Sequence, residues 1–442
     1  MNAAAGDSSG DQEGGHDPVV NSPATPTSGS VGGSPATPQS AAASSSPGTP
    51  WTGASTASSD GSGGGASPDE EPGAVEFVTP PATRYDSYDA DDDPFAGHRF
   101  RRLADVYGSA EHALYARGEG QARLLVGVYV DDLVVTGADA EAIHNFKAEM
   151  MARFRMSDLG LLSFYLGIEV KQGAGGIILS QAAYAGELLE RAGMAECNPV
   201  HVPMEPRLKL SKEGPEPHVD ATEYRSIIGG LRYLTHTRPD ITYAVGYLSR
   251  FMETPTTAHL AAVKHLLRYI AGTRRHGCKY TKGGNGGLVG YSDSDMAGDI
   301  DDRKSTSGNI FFLGGAPITW QSQKQKIVAL SSCEAEYVAA TTAACQGILL
   351  CRLEGELLME KVSAITIFVD NRSAIQLCKN PIFHDRSKHI DVRYHFIRKC
   401  VEEGKIRVEH IATGDQLADI FTKALGRTRF LELRARIGMV EV

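Results

Sequence analysis

Four acidic side chains in the last part of the chain have the types and placement needed for metal chemistry. They lie where predicted strands end or predicted helices begin: Asp293, Glu336, Asp370 and Asp419. Carboxylate oxygens are the hard ligands that Mg²⁺ prefers. Two such ions, held about 3.5–4 Å apart, activate a water and stabilise the leaving oxygen when a phosphodiester is cut. The ordered set of acids therefore predicts a two-metal site for phosphodiester hydrolysis.

Other acids near this set favour simpler interpretations. A lone Asp at a strand end is usually a turn residue. The spacing of Ser331 and Glu334 predicts a capping box at the start of a helix. Four further acids are predicted to form a solvated loop: Asp295, Asp299, Asp301 and Asp302. We therefore keep only the first four acids as candidate metal ligands.

A second pair of carboxylates interrupts an apolar segment earlier in the chain. Residues 124–135 read LLVGVYVDDLVV, in which Asp131 and Asp132 separate two β-branched runs. Such a pattern predicts a β-hairpin with both carboxylates at its tip. A pair of acids in a turn is by itself commonly structural.

The segments that would hold these acids alternate between strands and helices. Strands are predicted at 164–170, 288–292, 309–313, 318–321, 365–369 and 406–411. Helices are predicted at 140–154, 182–195, 331–358 and 390–403, and a helical stretch at 222–273 is split by Pro239 and Pro255. Short helices are also predicted after Asp370 and from Thr413, where Thr413-x-x-Gln416 resembles a capping box. From residue 288 onward this order predicts a mixed sheet with helices packed against it.

The first hundred residues differ in composition from the rest. No Leu or Ile occurs before Leu103, and the segment has fourteen Asp and Glu residues but two Arg and no Lys, a net charge of −12. Residues 101–442 carry +2, from 42 basic minus 40 acidic residues. The apolar side chains of this segment are too few for their burial to offset the conformational entropy that the chain would lose on folding. We predict a disordered acidic tail at 1–100, a domain at 101–282, a linker at 283–287 and a further domain at 288–442.

Composition also argues against several classes of protein. No stretch of 18 or more apolar residues occurs, and the N-terminus has no basic region followed by an apolar one. We therefore expect neither a membrane span nor a secretion signal, and an intracellular location in the cytoplasm or nucleus. The seven cysteines form no CxxC pair, which argues against a zinc site and a disulfide framework.

Several longer stretches carry a family resemblance. They read YVDDLVVTG, MSDLGLLSFYLGIEV, YRSIIGGLRYLTHTRPDITYAVGYLSRF, DRKSTSGNIFFLGG, SSCEAEYVA, RSKHIDVRYHFIR and QLADIFTKAL. With these motifs, residues 101–442 closely resemble the C-terminal part of the Pol polyprotein of copia-type LTR retrotransposons.

The resemblance implies an α+β multidomain chain. It would comprise part of a reverse-transcriptase palm with a helical thumb and connection, followed by an RNase H-like mixed-sheet α/β domain. The four candidate ligands would hold two Mg²⁺ (or Mn²⁺) ions and cut the RNA strand of an RNA–DNA hybrid. Asp131 and Asp132 would be metal ligands of the polymerase, and 164–170 the strand that grips the primer.

The chain departs from the family pattern in its polymerase part. Family polymerases carry another metal-binding Asp upstream in the palm, preceded by the fingers. Asp105 precedes Asp131 by only 26 residues and lacks the expected apolar sequel. We therefore expect the polymerase half to be incomplete and inactive.

Basic residues near the acids are candidates for holding the hybrid. Those that we single out are Lys304 and Ser305, and, in the KHIDVRYHF segment, Lys388, His389, Arg393 and His395. Arg398 and Lys399 are predicted to lie on a solvated helix face. His410, in phase with apolar residues of its strand, is predicted to be packed.

Two other functions are compatible with parts of this pattern. A non-catalytic nucleic-acid-binding remnant could retain the acids without cutting. An integrase also uses acids on a related fold, but it requires the order D…D…E and usually a His/Cys zinc module, and neither occurs here.

Overall fold

The structure, a computed structural model, describes residues 101–102, 113–283, 286–358, 363–379 and 396–442. The predicted tail at 1–100 lies outside these residues. The described strands form three sheets, accompanied by α-helices and short 3₁₀ turns. The chain is thus a mixed α+β protein, as predicted. None of the described helices is long and apolar enough to cross a membrane.

The first sheet contains the predicted hairpin. Its four antiparallel strands follow chain order: β1 (Arg101–Arg102), β2 (Leu114–Arg117), β3 (Leu124–Tyr129) and β4 (Asp132–Gly137). Helix α1 (Ala140–Arg153) begins after Asp139, whose side chain accepts a hydrogen bond from the Glu141 N–H. Phe146 of α1 packs on Leu124 and Val126. The hairpin and the helix are confirmed.

The second sheet joins the middle of the chain to its last residues. Its order is β14-β8-β7-β6-β5, all antiparallel. The strands are β5 (Phe164–Tyr165), β6 (Ile168–Gly173), β7 (Gly176–Ser180), β8 (His276–Tyr280) and β14 (Met439–Glu441). The prediction of a single strand at 164–170 is wrong. Leu166 and Gly167 adopt positive φ (49° and 75°) and turn the chain between β5 and β6.

The middle region is helical, as predicted. Its α-helices are α2 (Ala182–Arg191), α3 (Ala221–Leu234), α4 (Thr242–Leu248) and α5 (Thr257–Gly272). Asp220 caps α3 by accepting from the Thr222 N–H, and Thr256 with His259 forms a capping box at α5. Pro239 begins a 3₁₀ turn (Pro239–Ile241) that separates α3 from α4.

The third sheet is mixed, with the order β11-β10-β9-β12-β13. Its strands are β9 (Val289–Ser294), β10 (Thr306–Leu313), β11 (Ala316–Lys324), β12 (Ile365–Val369) and β13 (Ile406–His410). The first three are antiparallel, whereas β9, β12 and β13 run parallel. The helices are α6 (Ser332–Leu358), α7 (Arg372–Lys379), α8 (Phe396–Glu402) and α9 (Arg427–Arg436). The predicted mixed sheet is confirmed, and the first half of the helix predicted at 390–403 lies outside the described residues.

The helix predicted from Thr413 is not formed. Two short 3₁₀ turns, Thr413–Asp415 and Leu417–Phe421, replace it. Between them Gln416 is extended and fully buried, and its side-chain amide donates to the Ser292 carbonyl oxygen at 2.9 Å. The Gln416 side-chain oxygen accepts from the Ala418 N–H. The glutamine thus ties this segment to β9 and does not close a capping box.

One hydrophobic core extends across the predicted linker at 283–287. Ile310 and Phe312 of β10 belong to the same buried cluster as residues of α3, α4 and α5. Phe430, Leu433 and Met439, close to the C-terminus, belong to it as well. The predicted division into domains stays a prediction, but the regions on either side of 283–287 bury their apolar surfaces together.

A buried charged network reinforces this shared core. Arg238 and Asp240 are each 1% exposed and form an ion pair at 2.8 Å. The Tyr269 hydroxyl donates to Asp240 at 2.6 Å, and Arg434 of α9 donates to that hydroxyl at 3.0 Å. Arg238 also donates to the backbone oxygen of Thr273 at 2.9 Å. The network therefore links the helical region to α9.

Candidate metal centre

Three of the four predicted ligands meet at one edge of the third sheet. Asp293 is near the end of β9, and Asp370 directly follows β12. Because these strands are parallel neighbours, their carboxyl ends lie side by side. Glu336 reaches the same place from the first turns of α6, which packs on β9. Carboxylate oxygens of Asp293, Glu336 and Asp370 lie within 4.8 Å of one another.

The Glu336 carboxylate lies in a strongly unfavourable electrostatic environment. Asp293 is 2% exposed and Glu336 is 5% exposed. Burial, together with the nearby charges of Asp293 and Asp370, raises the pKa of Glu336 to about 10. One of its oxygens accepts from the Ser294 N–H at 3.1 Å. The other, Oε2, is buried and has no hydrogen-bond partner among the described residues.

These observations fit a divalent cation. The three clustered carboxylates are an oxygen donor set of the kind that Mg²⁺ binds. One of their buried oxygens has no hydrogen-bond partner in the part of the chain that the structure describes. A cation would also relieve the repulsion that raises the pKa of Glu336. The predicted cofactor therefore fits the residues present.

The fourth predicted ligand, Asp419, adjoins Asp293 on another side. It lies in the 3₁₀ turn Leu417–Phe421, and its side chain is 7% exposed. The Lys423 ammonium lies 2.7 Å from Asp419 Oδ1 and 3.5 Å from Asp293 Oδ2. Arg429 Nη2 lies 3.5 Å from Asp419 Oδ2. Burial and the charge of Asp293 nevertheless raise the pKa of Asp419.

A glycine lets this turn approach the sheet. Gly308 pairs with Asp293 across β10 and β9. A Cβ at Gly308 would lie 2.7 Å from the Phe421 Cβ and 2.8 Å from a Thr422 methyl carbon. A larger side chain would therefore push the turn bearing Asp419 away from β9.

Sequence reasoning missed three residues that contact the acids. Besides Lys423 and Arg429, the buried Thr422 hydroxyl donates to Asp293 Oδ2. The available signal was the spacing of Lys423, four residues after Asp419, which is typical of an ion pair on a helical segment. Nothing comparable marks Thr422, because its partner is more than a hundred residues away in the chain.

Glu334 behaves as predicted. The Glu334 N–H donates to Ser331 Oγ at 3.2 Å, and the Glu334 carboxylate accepts from the Leu330 N–H at 2.9 Å. This side chain therefore organises the start of α6 and is not among the clustered ligands.

The prediction of a solvated acidic loop is wrong for Asp299, whereas Asp301 is exposed as predicted. Asp299 is 5% exposed and forms ion pairs with Arg250 at 3.1 Å and Lys324 at 2.6 Å. Asp301 accepts hydrogen bonds from the Ser211 hydroxyl and the Lys212 N–H. Basic and polar groups from distant segments thus dock this loop onto the protein.

The predicted hybrid contacts are only partly described. Lys304 is half-buried and pairs with Asp302 at 3.4 Å. Ser305 is fully buried, and its hydroxyl accepts from the Ala297 N–H at 3.0 Å, so it closes the loop instead of facing solvent. The remaining candidates, Lys388, His389, Arg393 and His395, lie outside the described residues.

Two further expectations about basic residues need correction. Arg398, predicted to be solvated, is 5% exposed and lies over the Tyr337 ring, whereas Lys399 is exposed as predicted. His410, predicted to be packed, is exposed because it is the last residue of β13. There it lines a cavity of about 300 Å³ together with Arg372, Ile375, Gln376 and Lys379.

The polymerase pair lies apart from any described acidic cluster. Asp131 and Asp132 are exposed at the turn between β3 and β4, where Val130 has a φ of 55°. Burial and the charge of Asp132 raise the pKa of the Tyr165 hydroxyl. Among the described residues, neither Asp131 nor Asp132 belongs to a group of three acids that could hold an ion.

The chain is similar in sequence to reverse transcriptases and to transposon proteins. Residues 92–206 match the family described as reverse transcriptase (RNA-dependent DNA polymerase). The chain is 45% identical over 337 residues to the retrovirus-related Pol polyprotein from transposon RE1 of Arabidopsis thaliana, covering 76% of this chain and 23% of that protein. It is 36% identical over 237 residues to a protein ascribed to transposon Ty5-1 of Saccharomyces cerevisiae, covering 52% of this chain and 76% of that protein.

The chain therefore spans about a quarter of the length of the RE1 polyprotein that it matches. Among solved structures, it is similar to LC11-RNase H1 in complex with an RNA/DNA hybrid. That similarity has 14% sequence identity and a TM-score of 0.23, and it covers 30% of this chain and 93% of the other.

Proposed function

This chain belongs to the copia-type LTR retrotransposon Pol family, and from that premise we propose that its acidic cluster hydrolyses the RNA strand of RNA–DNA hybrids. The observation that carries the proposal is the approach of Asp293, Glu336 and Asp370 to within 4.8 Å. The Glu336 Oε2 atom, which has no hydrogen-bond partner among the described residues, supports a bound cation in particular.

Four residues would hold two Mg²⁺ or Mn²⁺ ions. Asp293, Glu336 and Asp370 would ligate one ion, and Asp293 with Asp419 would ligate the other. Bound ions supply an activated water and stabilise the leaving oxygen. The protein contributes the rigid placement of the ligands, because Asp293 and Asp370 project from adjacent parallel strands and Gln416 ties the Asp419 segment to β9.

The proposal is tested with the full chain and a hybrid whose RNA strand is labelled. We expect cleavage of that strand with Mg²⁺ or Mn²⁺, none after chelation of the metal, and none of single-stranded RNA or of the DNA strand. A chain that binds the hybrid but leaves it intact at every metal concentration would instead support the non-catalytic remnant.

We further propose that the chain does not polymerise DNA by itself. Nucleotidyl transfer requires two metals clamped between carboxylates, and Asp131 and Asp132 have no third acid beside them among the described residues. We expect no primer extension under conditions in which the hybrid is cut. Template-dependent extension that disappears in Asp131→Asn would contradict this and would indicate that another carboxylate completes the site.

A further inference from the structure

The four candidate ligands Asp293, Glu336, Asp370 and Asp419, here called the acidic cluster, have a cation among them, the ammonium of Lys423. It lies 2.7 Å from Asp419 and 3.5 Å from Asp293, whose side chains are 7% and 3% exposed. Two buried carboxylates that share one ammonium are held together by it, because their mutual repulsion is offset at the point where they approach.

The two sides of the cluster are therefore unequal. Within the described part of the chain, the ion pairs of the cluster involve Asp293 and Asp419, and none involves Glu336 or Asp370. On the Glu336 side, Oε2 has neither a hydrogen-bond partner nor an ion-pair partner among the described residues, whereas on the other side Asp419 Oδ1, which also lacks a hydrogen bond there, is 2.7 Å from the Lys423 ammonium. A cation can bind there without displacing a basic group, whereas a cation between Asp293 and Asp419 must take the place of Lys423.

Resting on the proposed function, we propose that Lys423 is a positioning residue that makes the two metals bind in order. The first ion enters between Asp293, Glu336 and Asp370. The second enters between Asp293 and Asp419 only as the Lys423 ammonium moves away. Lys423 thereby sets the metal concentration at which the complete two-metal site is present.

The surroundings of Lys423 allow this movement. Its side chain is 43% exposed, so the ammonium has a route to water. Lys423 borders a small cavity that is also lined by Tyr243, Leu425 and Phe430. A lysine can keep its aliphatic stem packed on such a surface while its charged end turns to solvent.

The test is a Mn²⁺ titration of the full chain, followed by the electron paramagnetic resonance signal of free Mn²⁺ at constant ionic strength. For the unmodified chain we expect two binding steps, a tighter and a weaker one. In Lys423→Met the weaker step should become about tenfold tighter, because a competing cation on two carboxylates is removed. The tighter step should change far less, and Lys423→Arg, which keeps the charge, should bind Mn²⁺ like the unmodified chain.

A matched control is Lys324→Met. Lys324 also bridges two carboxylates, Asp299 at 2.6 Å and Asp302 at 2.9 Å, but neither belongs to the cluster. Neither binding step should shift in this variant. An unchanged weaker step in Lys423→Met, or an equal shift of both steps, would overturn the proposal.

A second variant identifies the site of the weaker step. Asp419→Asn should abolish that step whether residue 423 is Lys or Met, and a weaker step that survives would place it elsewhere and overturn the proposal. Far-ultraviolet circular dichroism verifies folding, and Lys423→Gln replaces Lys423→Met if the latter does not fold. Because the titration needs no hydrolysis, a chain that binds Mn²⁺ in this order without cutting hybrids would refute only the proposed activity.

Discussion

Asp293→Asn is expected to lower the rate of hybrid cleavage by about a thousandfold or more. Asp293 is the carboxylate shared by both proposed metal positions, and losing a metal removes several kcal/mol of transition-state stabilisation. Asparagine retains an oxygen that can accept from Thr422, so the fold should persist. The measurement is the initial rate of RNA-strand cleavage at saturating Mg²⁺.

Glu334→Gln is the matched control for this variant. Glu334 lies two residues before a proposed ligand and is equally buried, at 5% exposed, yet it interacts with the start of α6. Glutamine can still accept from the Leu330 N–H. Cleavage should stay within about threefold of the unmodified chain, and a loss as large as that of Asp293→Asn would show that the cluster has been assigned to the wrong acids.

Asp240→Asn is expected to destabilise the whole chain by about 3–5 kcal/mol, because it leaves the buried Arg238 guanidinium without its charged partner. Arg238 is 1% exposed, so water does not compensate. The measurement is the free energy of unfolding from denaturant titration. Asp302→Asn, which removes a half-exposed acid from an ion pair, should cost less than about 1 kcal/mol.

The same pair makes a pH-dependent contribution. Burial raises the pKa of Asp240, but Arg238 and Tyr269 outweigh burial and hold it below its ordinary value. A lowered folded-state pKa means that this stabilisation is present above the unfolded pKa of about 3.9 and is lost as the pH falls through the folded value. Asp240→Asn should therefore flatten the acid side of the stability profile, and an unchanged profile would show that the pair contributes little.

Local patterns predict most of the described strands and helices, and they place Asp293 and Asp370 near strand ends. The apolar runs that end at Asp293 and Asp370 are strands, and Ser331 with Glu334 marks the start of α6. These signals lie within a few residues of the feature that they predict, so a single sequence contains them.

Features that depend on distant partners were not predictable in this way. Burial of Asp299 depends on Arg250 and Lys324, which lie far from it in the chain. The sequence from Thr413 has the pattern of a helix start, yet the Gln416 side chain donates to the Ser292 carbonyl oxygen and no α-helix forms there. In both cases a tertiary contact outweighs a weak local preference.

The pairing of β14 with β8 has a consequence for biosynthesis. Met439 lies opposite Cys278, so β8 is synthesised more than 150 residues before the strand that pairs with it. At about 5–20 residues per second, the ribosome needs roughly ten seconds or more to supply the missing neighbour. During that interval the edge of β8 is unpaired, and the apolar surface that later packs against Phe430 and Leu433 is exposed. Both can bind chaperones or aggregate. Deleting residues 439–442 should therefore lower the yield of folded protein, although the deletion removes no proposed ligand.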